Sequence, residues 1–232
     1  MNHKKMALSK KKVSNETIRR LALYLRSLHK LQEINLDIVS SGQISANLNV
    51  SPDQFRKDLS YFGSLGKRGV GYRVDNLIKH LEKILGIDKE CRVIIVGVGK
   101  LGSALLAYPG FSNFNFRIVS AFDNDRKKVG KIINGIKIEE MENISRVVQK
   151  LEVHLAVLTV PSESAQMVAT KLAKCGIKGI LNFAPISLNL SNSIRILNVD
   201  VATELMTLRY LSRKACNLNT GSTLDRVTEN FE

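Results

Sequence analysis

The strongest constraint on the fold of this chain is a glycine pattern that directly follows an apolar run. The run 92–96 passes into Gly97-Val-Gly-Lys-Leu-Gly102, and a helical pattern begins there. A second apolar run, 116–122, is followed at once by Asp123, 21 residues after Gly102. A strand, a Gly-x-Gly-x-x-Gly turn, a helix and an acid at this distance are typical of a βαβ unit that binds a dinucleotide.

Each residue of this pattern has a physical task in such a unit. Gly97 permits the sharp turn from strand to helix, Gly99 lets the backbone approach the pyrophosphate, and Gly102 lets the helix pack closely on the strand. Asp123 is expected to accept hydrogen bonds from the adenosine ribose and to repel a 2′-phosphate, which favours NAD(H) over NADP(H). The basic run 126–128 follows closely. It is either a solvated turn or a site for the extra phosphate, and the residues alone leave both interpretations open.

Further candidate ligands of the cofactor lie where other predicted elements begin or end. Lys100 and Leu101 start the helix of the glycine motif, Val160 and Pro161 end the third strand, and Asn182 follows in the next one. Residues at the carboxyl ends of parallel strands face the ligand in folds of this class. The stretches around Pro161 and Asn182 are equally compatible with ordinary turns.

Apolar runs and helical patterns alternate through the second part of the chain. The patterns predict strands at 91–96, 116–122, 153–160, 178–183 and 194–199. They predict helices at 100–107, 142–150, 162–175 and 201–213. Strands rich in Val, Ile and Leu that alternate with helices favour a parallel sheet covered on both faces, which is an α/β fold of the Rossmann type.

Positive charge is concentrated before this region. The chain has a formal net charge of +14, and residues 1–73 hold 14 Lys and Arg against 5 Asp and Glu, a local charge of +9. Such an excess attracts polyanions, nucleic acid among them. A solvated basic surface without a partner is the alternative.

The basic region also contains two closely spaced helix starts. Ser40 with Gln43, and Ser51 with Gln54, have the spacing of a capping box, and Pro52 stands at a first helical position. A preceding helix from Ser14 places Ile18, Leu21, Leu25 and Leu28 on one apolar face, and another follows at 74–85 with Gly86 as its cap. A helix, a short turn and a second helix at about 52–62 form the layout of a helix-turn-helix.

The second helix leaves a set of polar side chains on its outward side. We predict DNA contacts from Ser51, Gln54, Arg56, Lys57 and Ser60. The segment 63–72 follows with four glycines in nine residues, which predicts a tight hairpin with Lys67 and Arg68 at its tip. A recognition helix followed by a basic hairpin is a winged helix, and cations at such a tip suit a narrow minor groove.

Several functional classes find no support in the sequence. No apolar run approaches the roughly 20 residues that span a bilayer, and the basic N-terminus lacks the apolar core of a secretory signal. The cysteines Cys91, Cys175 and Cys216 are far apart, so we expect no metal site and a reducing, cytoplasmic setting. We also find no arrangement of residues for catalysis, and His154 stands at the wrong end of its strand for chemistry.

The two halves together resemble Rex, the redox-sensing transcriptional repressor family of bacteria. The resemblance covers about residues 14–213. Its most specific stretches are Phe55-Arg-Lys-Asp-Leu-Ser-Tyr-Phe-Gly63, Gly66-Lys-Arg-Gly-Val-Gly-Tyr72, the glycine motif with Tyr108-Pro-Gly-Phe111, Ala121-Phe-Asp123, and Gly179-Ile-Leu-Asn-Phe-Ala-Pro185.

The resemblance implies a homodimer that binds palindromic operator DNA and releases it when NADH binds. It implies DNA contacts from Arg56 and Lys57 on the recognition helix, minor-groove contacts from the wing, and a Tyr108/Asp200 pair that responds to the redox state of the nicotinamide. It also implies that the C-terminal helix swaps to the partner subunit. The chain departs from the common pattern at Arg126, where the family often has proline, and at Val201, where it often has a bulkier residue.

The sequence therefore predicts five regions. They are a basic arm at 1–13, a winged helix-turn-helix domain at 14–87, a Rossmann-type NAD(H)-binding domain at 88–200, a swapped dimerisation helix at 201–213, and a polar tail at 214–232. The predicted function is a cytoplasmic, NADH-responsive repressor and not an enzyme, with NADH or NAD+ as a sensed ligand. The alternatives are an NAD-dependent oxidoreductase with a basic docking module, and a DNA-binding regulator whose nucleotide pocket is only structural.

Overall fold

Two compact units make up the chain in the computed structural model, which describes residues 13–219 apart from positions 47, 64 and 68. One unit is Met1–Glu90 together with Asn113–Asn115, and the other is Cys91–Ser112 together with Phe116–Glu232. Within the described residues, no helix is both long enough and apolar enough to cross a bilayer. The predicted arm at 1–13 lies, except for Val13, outside the described residues.

The described residues of the first unit form four helices and a two-stranded antiparallel sheet. Its elements are α1 (Asn15–Glu33), β1 (Ile38–Val39), α2 (Ser41–Ser45), α3 (Pro52–Ser60), β2 (Tyr72–Arg73) and α4 (Val74–Leu85). Ser14 caps α1, Ser40 and Gln43 form a complete capping box on α2, and Gly86 ends α4 in the left-handed conformation. The start of α2 and the end of α4 were predicted from capping chemistry, and the start of α1 near Ser14 was predicted from its apolar period. The helix predicted at about 52–62 is α3, which ends at Ser60, two residues earlier than predicted.

Aromatic packing forms the centre of this unit. Phe55 of α3 is fully buried, with the ring of Tyr24 4.8 Å away on one side and that of Tyr72 5.3 Å away on another, both in edge-to-face geometry. Leu21, Leu25 and Leu28 of α1 are buried as the helical period predicted. Ile18 is the exception, because its side chain is 38% exposed at the first turn of α1.

The wing forms the predicted tight turn, but Lys67 lies at its closing bridge rather than at its tip. Lys67 and Gly71 form a single antiparallel bridge, and the strand that follows, β2, pairs with β1 rather than with the segment before the turn. A Cβ at position 71 would come within 2.6 Å of the Val39 carbonyl oxygen, so glycine permits this close approach. The base of the wing is therefore held by a neighbouring strand.

The second unit is a seven-stranded sheet with helices on both faces. Its strands are β3 (Cys91–Val96), β4 (Phe116–Asp123), β5 (Ile132–Ile133), β6 (Ile136–Glu140), β7 (Leu155–Leu158), β8 (Gly179–Asn182) and β9 (Arg195–Asn198). Its helices are α5 (Lys100–Leu106), α6 (Ile144–Lys150), α7 (Ser162–Cys175) and α8 (Val201–Asn219), with 3-10 turns at Pro109–Phe114 and Met141–Asn143. All pairings are parallel except that of β5 with β6.

The strand order is β5-β6-β4-β3-β7-β8-β9. Counted from β3 and without the edge strand β5, this is the order 3-2-1-4-5-6 of a Rossmann fold, and the order reverses between β3 and β7. Successive side chains of β3 point to opposite faces of the sheet. Ile94 and Val96 therefore join the buried cluster on one face, while Val93 and Ile95 join the cluster on the other.

Two features of this unit differ from the sequence-based expectation. The hairpin of β5 and β6 was not predicted. The last helix continues to Asn219, six residues beyond its predicted end. Polarity alone does not stop a helix, and the stretch from Val201 to Gly221 has no glycine or proline until Gly221 itself. The predicted polar tail therefore begins as helix, and its remainder, 220–232, lies outside the described residues.

Candidate nucleotide and nucleic-acid sites

The glycine turn joins β3 to α5 in a space that excludes side chains. Gly97 has a φ of 94°, and a Cβ there would lie 2.7 Å from the Thr159 carbonyl oxygen. A Cβ on Gly102 would lie 2.0 Å from the Gly97 carbonyl oxygen. A Cβ on Gly99 would meet nothing within 4 Å. Gly97 and Gly102 thus leave no room for a side chain, because neighbouring atoms pack directly against them. Gly99 instead borders open space where a ligand phosphate could approach the backbone.

Asp123 ends β4 beside this turn, and its carboxylate is held by three donors. Oδ2 accepts from the Val98 N–H at 2.7 Å and from Lys128 Nζ at 3.0 Å, and Oδ1 accepts from the Asp125 N–H at 2.8 Å. Burial alone raises the pKa of Asp123, but these hydrogen bonds outweigh burial and lower the pKa below its ordinary value. The carboxylate is therefore ionised at neutral pH, and it lies at the carboxyl end of β4 beside the glycine turn.

The other predicted cofactor residues differ in how exposed their side chains are. The side chains of Lys100 and Pro161 are exposed, Val160 is partly buried, and Leu101 is 45% exposed. Asn182 is fully buried and donates to the carbonyl oxygens of Ala184 and Ile186 and to Asn198 Oδ1, while it accepts from the Ala184 N–H. Its side chain orders the loop after β8, so a role toward the cofactor stays a prediction.

Tyr108 and Asp200 are both exposed. Tyr108 is 53% exposed and packs edge to face against Phe111 at 5.2 Å. Asp200 precedes α8, accepting from the Thr203 hydroxyl at 2.8 Å and from the Ala202 N–H at 3.0 Å. Hydrogen bonds from Thr203 are the main cause of its lowered pKa. Their pairing in redox sensing stays a prediction.

In the first unit, an open groove of about 1030 Å³ runs between α2, α3 and the wing. Its polar lining includes Ser40, Ser41, Arg56, Ser60 and Lys67. Arg56 donates to Ser41 Oγ at 2.5 Å and also pairs with Asp53, so its guanidinium is held at the groove wall. Cations and hydroxyls in such a concave surface suit a polyanionic ligand.

The remaining predicted DNA contacts lie on the same helix or on the wing. Lys57 is exposed, and Ser60 donates its hydroxyl to the Lys57 carbonyl oxygen. Ser51 caps α3 by accepting from the Gln54 N–H at 3.1 Å, but the Gln54 side chain does not reach back to complete the capping box. Arg68 lies outside the described residues.

A buried carboxylate, absent from the sequence-based prediction, organises α3. Asp58 is fully buried and accepts from Arg20 Nε at 2.6 Å, Arg20 Nη2 at 2.8 Å, Tyr24 Oη at 2.9 Å and Gln54 Nε2 at 2.8 Å. Burial raises the pKa of Asp58, but the bonds from Arg20, Tyr24 and Gln54 outweigh it and lower the pKa. The same contact raises the pKa of the Arg20 guanidinium. The carboxylate therefore stays ionised inside the unit.

One sequence signal for this cluster exists. Asp58 is three residues after Phe55 and one before Leu59, so it lies on the apolar face of α3, where an unpartnered charge would be costly. Arg20 and Tyr24 are four residues apart on one face of α1 and could have supplied the partners. Within the described part of the chain, no group of three or more His, Cys, Asp or Glu side chains is placed so that it could hold a metal ion.

Two family models match the two units. Residues 12–60 match the family described as "Putative DNA-binding protein N-terminus", and residues 88–186 match the "CoA binding domain" family. The second match covers β3 through β8, including the glycine turn and Asp123.

Curated relatives align over most of the chain. A "Redox-sensing transcriptional repressor Rex" of Desulforamulus reducens is 44% identical over 199 residues, which are 86% of this chain and 95% of the relative. The protein of the same name from Lactobacillus acidophilus is 42% identical and covers 88% of this chain and 96% of the relative.

Solved structures give the same result. The structure of RSP in complex with beta-NAD+ and operator DNA has a TM-score of 0.83 at 33% identity, and covers 90% of this chain and 97% of that chain. The structure of RSP in complex with beta-NADH has a TM-score of 0.80 at 32% identity, and covers 90% of this chain and 99% of that one. RSP is described as a Rex-family repressor.

Proposed function

The chain belongs to the Rex family of redox-sensing transcriptional repressors, and from this membership we propose that it binds operator DNA as a homodimer and leaves the operator when NADH binds. It senses the ratio of NADH to NAD+ and is not an enzyme. The nucleotide is its regulatory ligand rather than its redox substrate. The observation that carries the proposal is the combination, in one chain, of a winged helix with a basic groove and a Rossmann unit with an intact nucleotide turn.

DNA binding is assigned to the groove of the first unit. Arg56 and Lys67 supply positive charge for the phosphates, and α3 supplies the side chains that would face base edges in the major groove. Arg56 is held in place by Ser41, so it loses little conformational freedom when it binds.

Nucleotide binding is assigned to the turn of the second unit, with the pyrophosphate over Gly99 and the adenosine ribose at Asp123. The nicotinamide would lie near Tyr108 and Asp200. The oxidised ring is cationic and the reduced ring is neutral, so an ionised carboxylate such as Asp200 favours one form over the other.

The homodimer is supported by α8. This helix exposes Val201, Leu205, Met206, Leu208 and Leu211, each between 57% and 65%. So many exposed apolar side chains on one helix are typical of a surface that a partner subunit covers. We place the protein in the bacterial cytoplasm, where operator DNA is accessible.

A mobility shift with the full chain tests the proposal. Duplexes are first selected from a random library by the chain in the presence of NAD+. The bound fraction is then measured while NADH replaces NAD+ at constant total nucleotide and constant salt, because phosphate contacts make affinity depend on salt. We expect NADH to weaken operator binding by roughly 5- to 150-fold, the usual range of allosteric coupling.

Two outcomes would contradict it. Operator binding that does not change with NADH would assign the nucleotide pocket a structural role only. Steady consumption of NADH with a carbonyl substrate would instead support an oxidoreductase.

A further inference from the structure

The side-chain amide of Gln54 has only one orientation that its surroundings allow. Gln54 is partly buried on α3, and one terminal atom of its amide lies 2.8 Å from Asp58 Oδ1. An ionised carboxylate can only accept hydrogen bonds, so this atom must be the nitrogen and not the oxygen. Asp58 is kept ionised by the two bonds from Arg20 and the bond from Tyr24.

This contact decides which groups Gln54 can offer to a ligand. Asp58 occupies one of the two N–H donors, and the amide keeps its carbonyl oxygen and one N–H. Turning the amide over would place the carbonyl oxygen against a carboxylate oxygen, which repel each other. The backbone N–H of Gln54 is bonded to Ser51 Oγ, so the start of α3 is fixed as well.

Of the bases in a major groove, adenine fits the remaining pattern. Its N6 amine donates to a carbonyl oxygen and its N7 accepts from an N–H, whereas guanine presents two acceptors, O6 and N7. We propose that Asp58 orients Gln54 so that this side chain reads adenine in the operator. The inference rests on the proposed function, because it requires α3 to enter the major groove.

Gln54 is then a specificity-determining residue, and Asp58 is a positioning residue that acts through it. Arg56 and Lys67 would supply affinity for any duplex, since contacts to phosphates carry no sequence information directly. The choice of base at one position of each half-site would come from Gln54.

Gln54→Met is the matched variant, because Met has the same length and no hydrogen-bonding amide. The full chain and the variant each select duplexes from a random library, and the two sets of preferences are compared. We expect one position per half-site to lose a preference for adenine of roughly 5- to 150-fold, while the other positions are unchanged. Thermal melting of the variant should match that of the unaltered chain, which shows that the first unit is folded, and affinity for NADH should be unchanged.

Base analogues identify the atoms involved. Purine, which lacks the 6-amino group, replaces adenine at that position in one duplex. We expect this replacement to weaken binding of the unaltered chain and to have no effect on the Gln54→Met variant. The proposal is overturned if no position depends on Gln54, if the dependent position selects guanine, cytosine or thymine, or if loss of the amino group weakens both proteins equally.

Asp58→Asn tests the positioning role. An amide at position 58 can donate to the Gln54 oxygen, so Gln54 is free to turn over, and we expect the adenine preference to fall as far as in Gln54→Met. Adding Gln54→Met to Asp58→Asn should cause no further loss of that preference, which a general loss of stability would not explain. Thermal melting shows whether Asp58→Asn folds, and an adenine preference retained in the folded variant would overturn the positioning role of Asp58. The base-analogue comparison tests the reading of adenine by Gln54 independently of that variant.

These outcomes separate the inference from the proposed function. If the unaltered chain selects no duplex at all, the proposed function fails. If it selects an operator whose preferences are the same in Gln54→Met, only the assignment of Gln54 fails.

Discussion

Asp58 in the first unit and Asp123 in the second are both held by several hydrogen bonds, and the two carboxylates differ in the kind of group that donates to them. Asp58 is surrounded by side chains from its own helix and from α1, and Arg20 neutralises it with two hydrogen bonds. Asp123 is bonded to two backbone N–H groups and to the ammonium of Lys128. The side chain of Asp58 is 1% exposed and that of Asp123 is 11% exposed.

We therefore call Asp58 the framework group, because it holds elements of the fold together, and Asp123 the ligand group, because it could bind a nucleotide. All four of the short bonds to Asp58 would have to break before a ligand could reach it, so its charge serves the interior of the unit. Asp123 can exchange its bond with the flexible Lys128 side chain for bonds to ribose hydroxyls, while the backbone donors stay in place. A carboxylate whose fixed partners are backbone groups at the edge of a sheet is thus the better candidate for ligand binding.

The largest effect is expected when the ion pair of the framework group is broken. Arg20→Met leaves Asp58 buried without its cation, and loss of one partner of such a pair costs about 3–5 kcal/mol. Urea denaturation should therefore show a large fall in the free energy of unfolding of the first unit, with no change in NADH affinity.

Arg19→Met is the matched control, because Arg19 is exposed and lies 3.6 Å from Glu16. Its effect on the free energy of unfolding should stay within about 0.5 kcal/mol. Equal effects of the two substitutions would show that the Asp58 pair does not stabilise the unit.

A smaller effect is expected for the ligand group. Asp123→Ala removes charge-assisted hydrogen bonds to the ribose, which are worth about 1.5–3 kcal/mol, so NADH affinity should fall roughly 10- to 150-fold. Calorimetry of NADH binding measures this, and operator affinity without nucleotide should be retained.

Asp125→Ala serves as the comparison, since Asp125 lies on the same turn with 44% of its side chain exposed. It should change NADH affinity only a few-fold by the usual range for exposed charges. NADH binding that is as strong in Asp123→Ala as in the unaltered chain would remove Asp123 from the site.

The smallest effect concerns the choice between nucleotides. Lys128 lies 3.0 Å from Asp123 Oδ2 and offsets its negative charge. In Lys128→Met the uncompensated carboxylate should repel a 2′-phosphate more strongly, so the preference for NADH over NADPH should rise roughly 2- to 5-fold. Competition binding with both nucleotides measures the ratio, and Lys127→Met, which alters an exposed neighbour, should leave it unchanged. A ratio that falls in Lys128→Met would contradict the proposed role of Lys128.

Periodicity and capping predicted those elements that are long or have distinct ends. The bounds of α4, β3 and α7 agree with the pattern because each joins a regular apolar period to a clear start or stop, such as Gly86 after α4. The β5–β6 hairpin was missed although its turn is Asn134-Gly135, with φ of 49° and 76°, between two short isoleucine-containing strands. An Asn-Gly pair in such a place is the strongest local signal for a two-residue hairpin, and the strands were simply too short for periodicity to show.

The two sites differed in how far the sequence could predict them. The nucleotide turn and Asp123 form a local motif, since the glycines and the acid belong to the same βαβ unit. The Asp58 cluster joins residues 34 to 38 positions apart through the packing of α1 on α3, and no local pattern specifies that contact. For the same reason, the orientation of Gln54 could not be predicted from its place on the helix.

The strand pairing at the base of the wing has a practical consequence for protein engineering. Because β1 holds Tyr72 and Arg73, the loop before them is anchored at a point separate from its own tip. Lengthening a flexible loop costs only about 0.6 kcal/mol for each doubling of its length. Loops of other lengths and charges could therefore be transplanted into this position, provided that glycine is kept at position 71, and the scaffold would offer a starting point for repressors with altered operator choice.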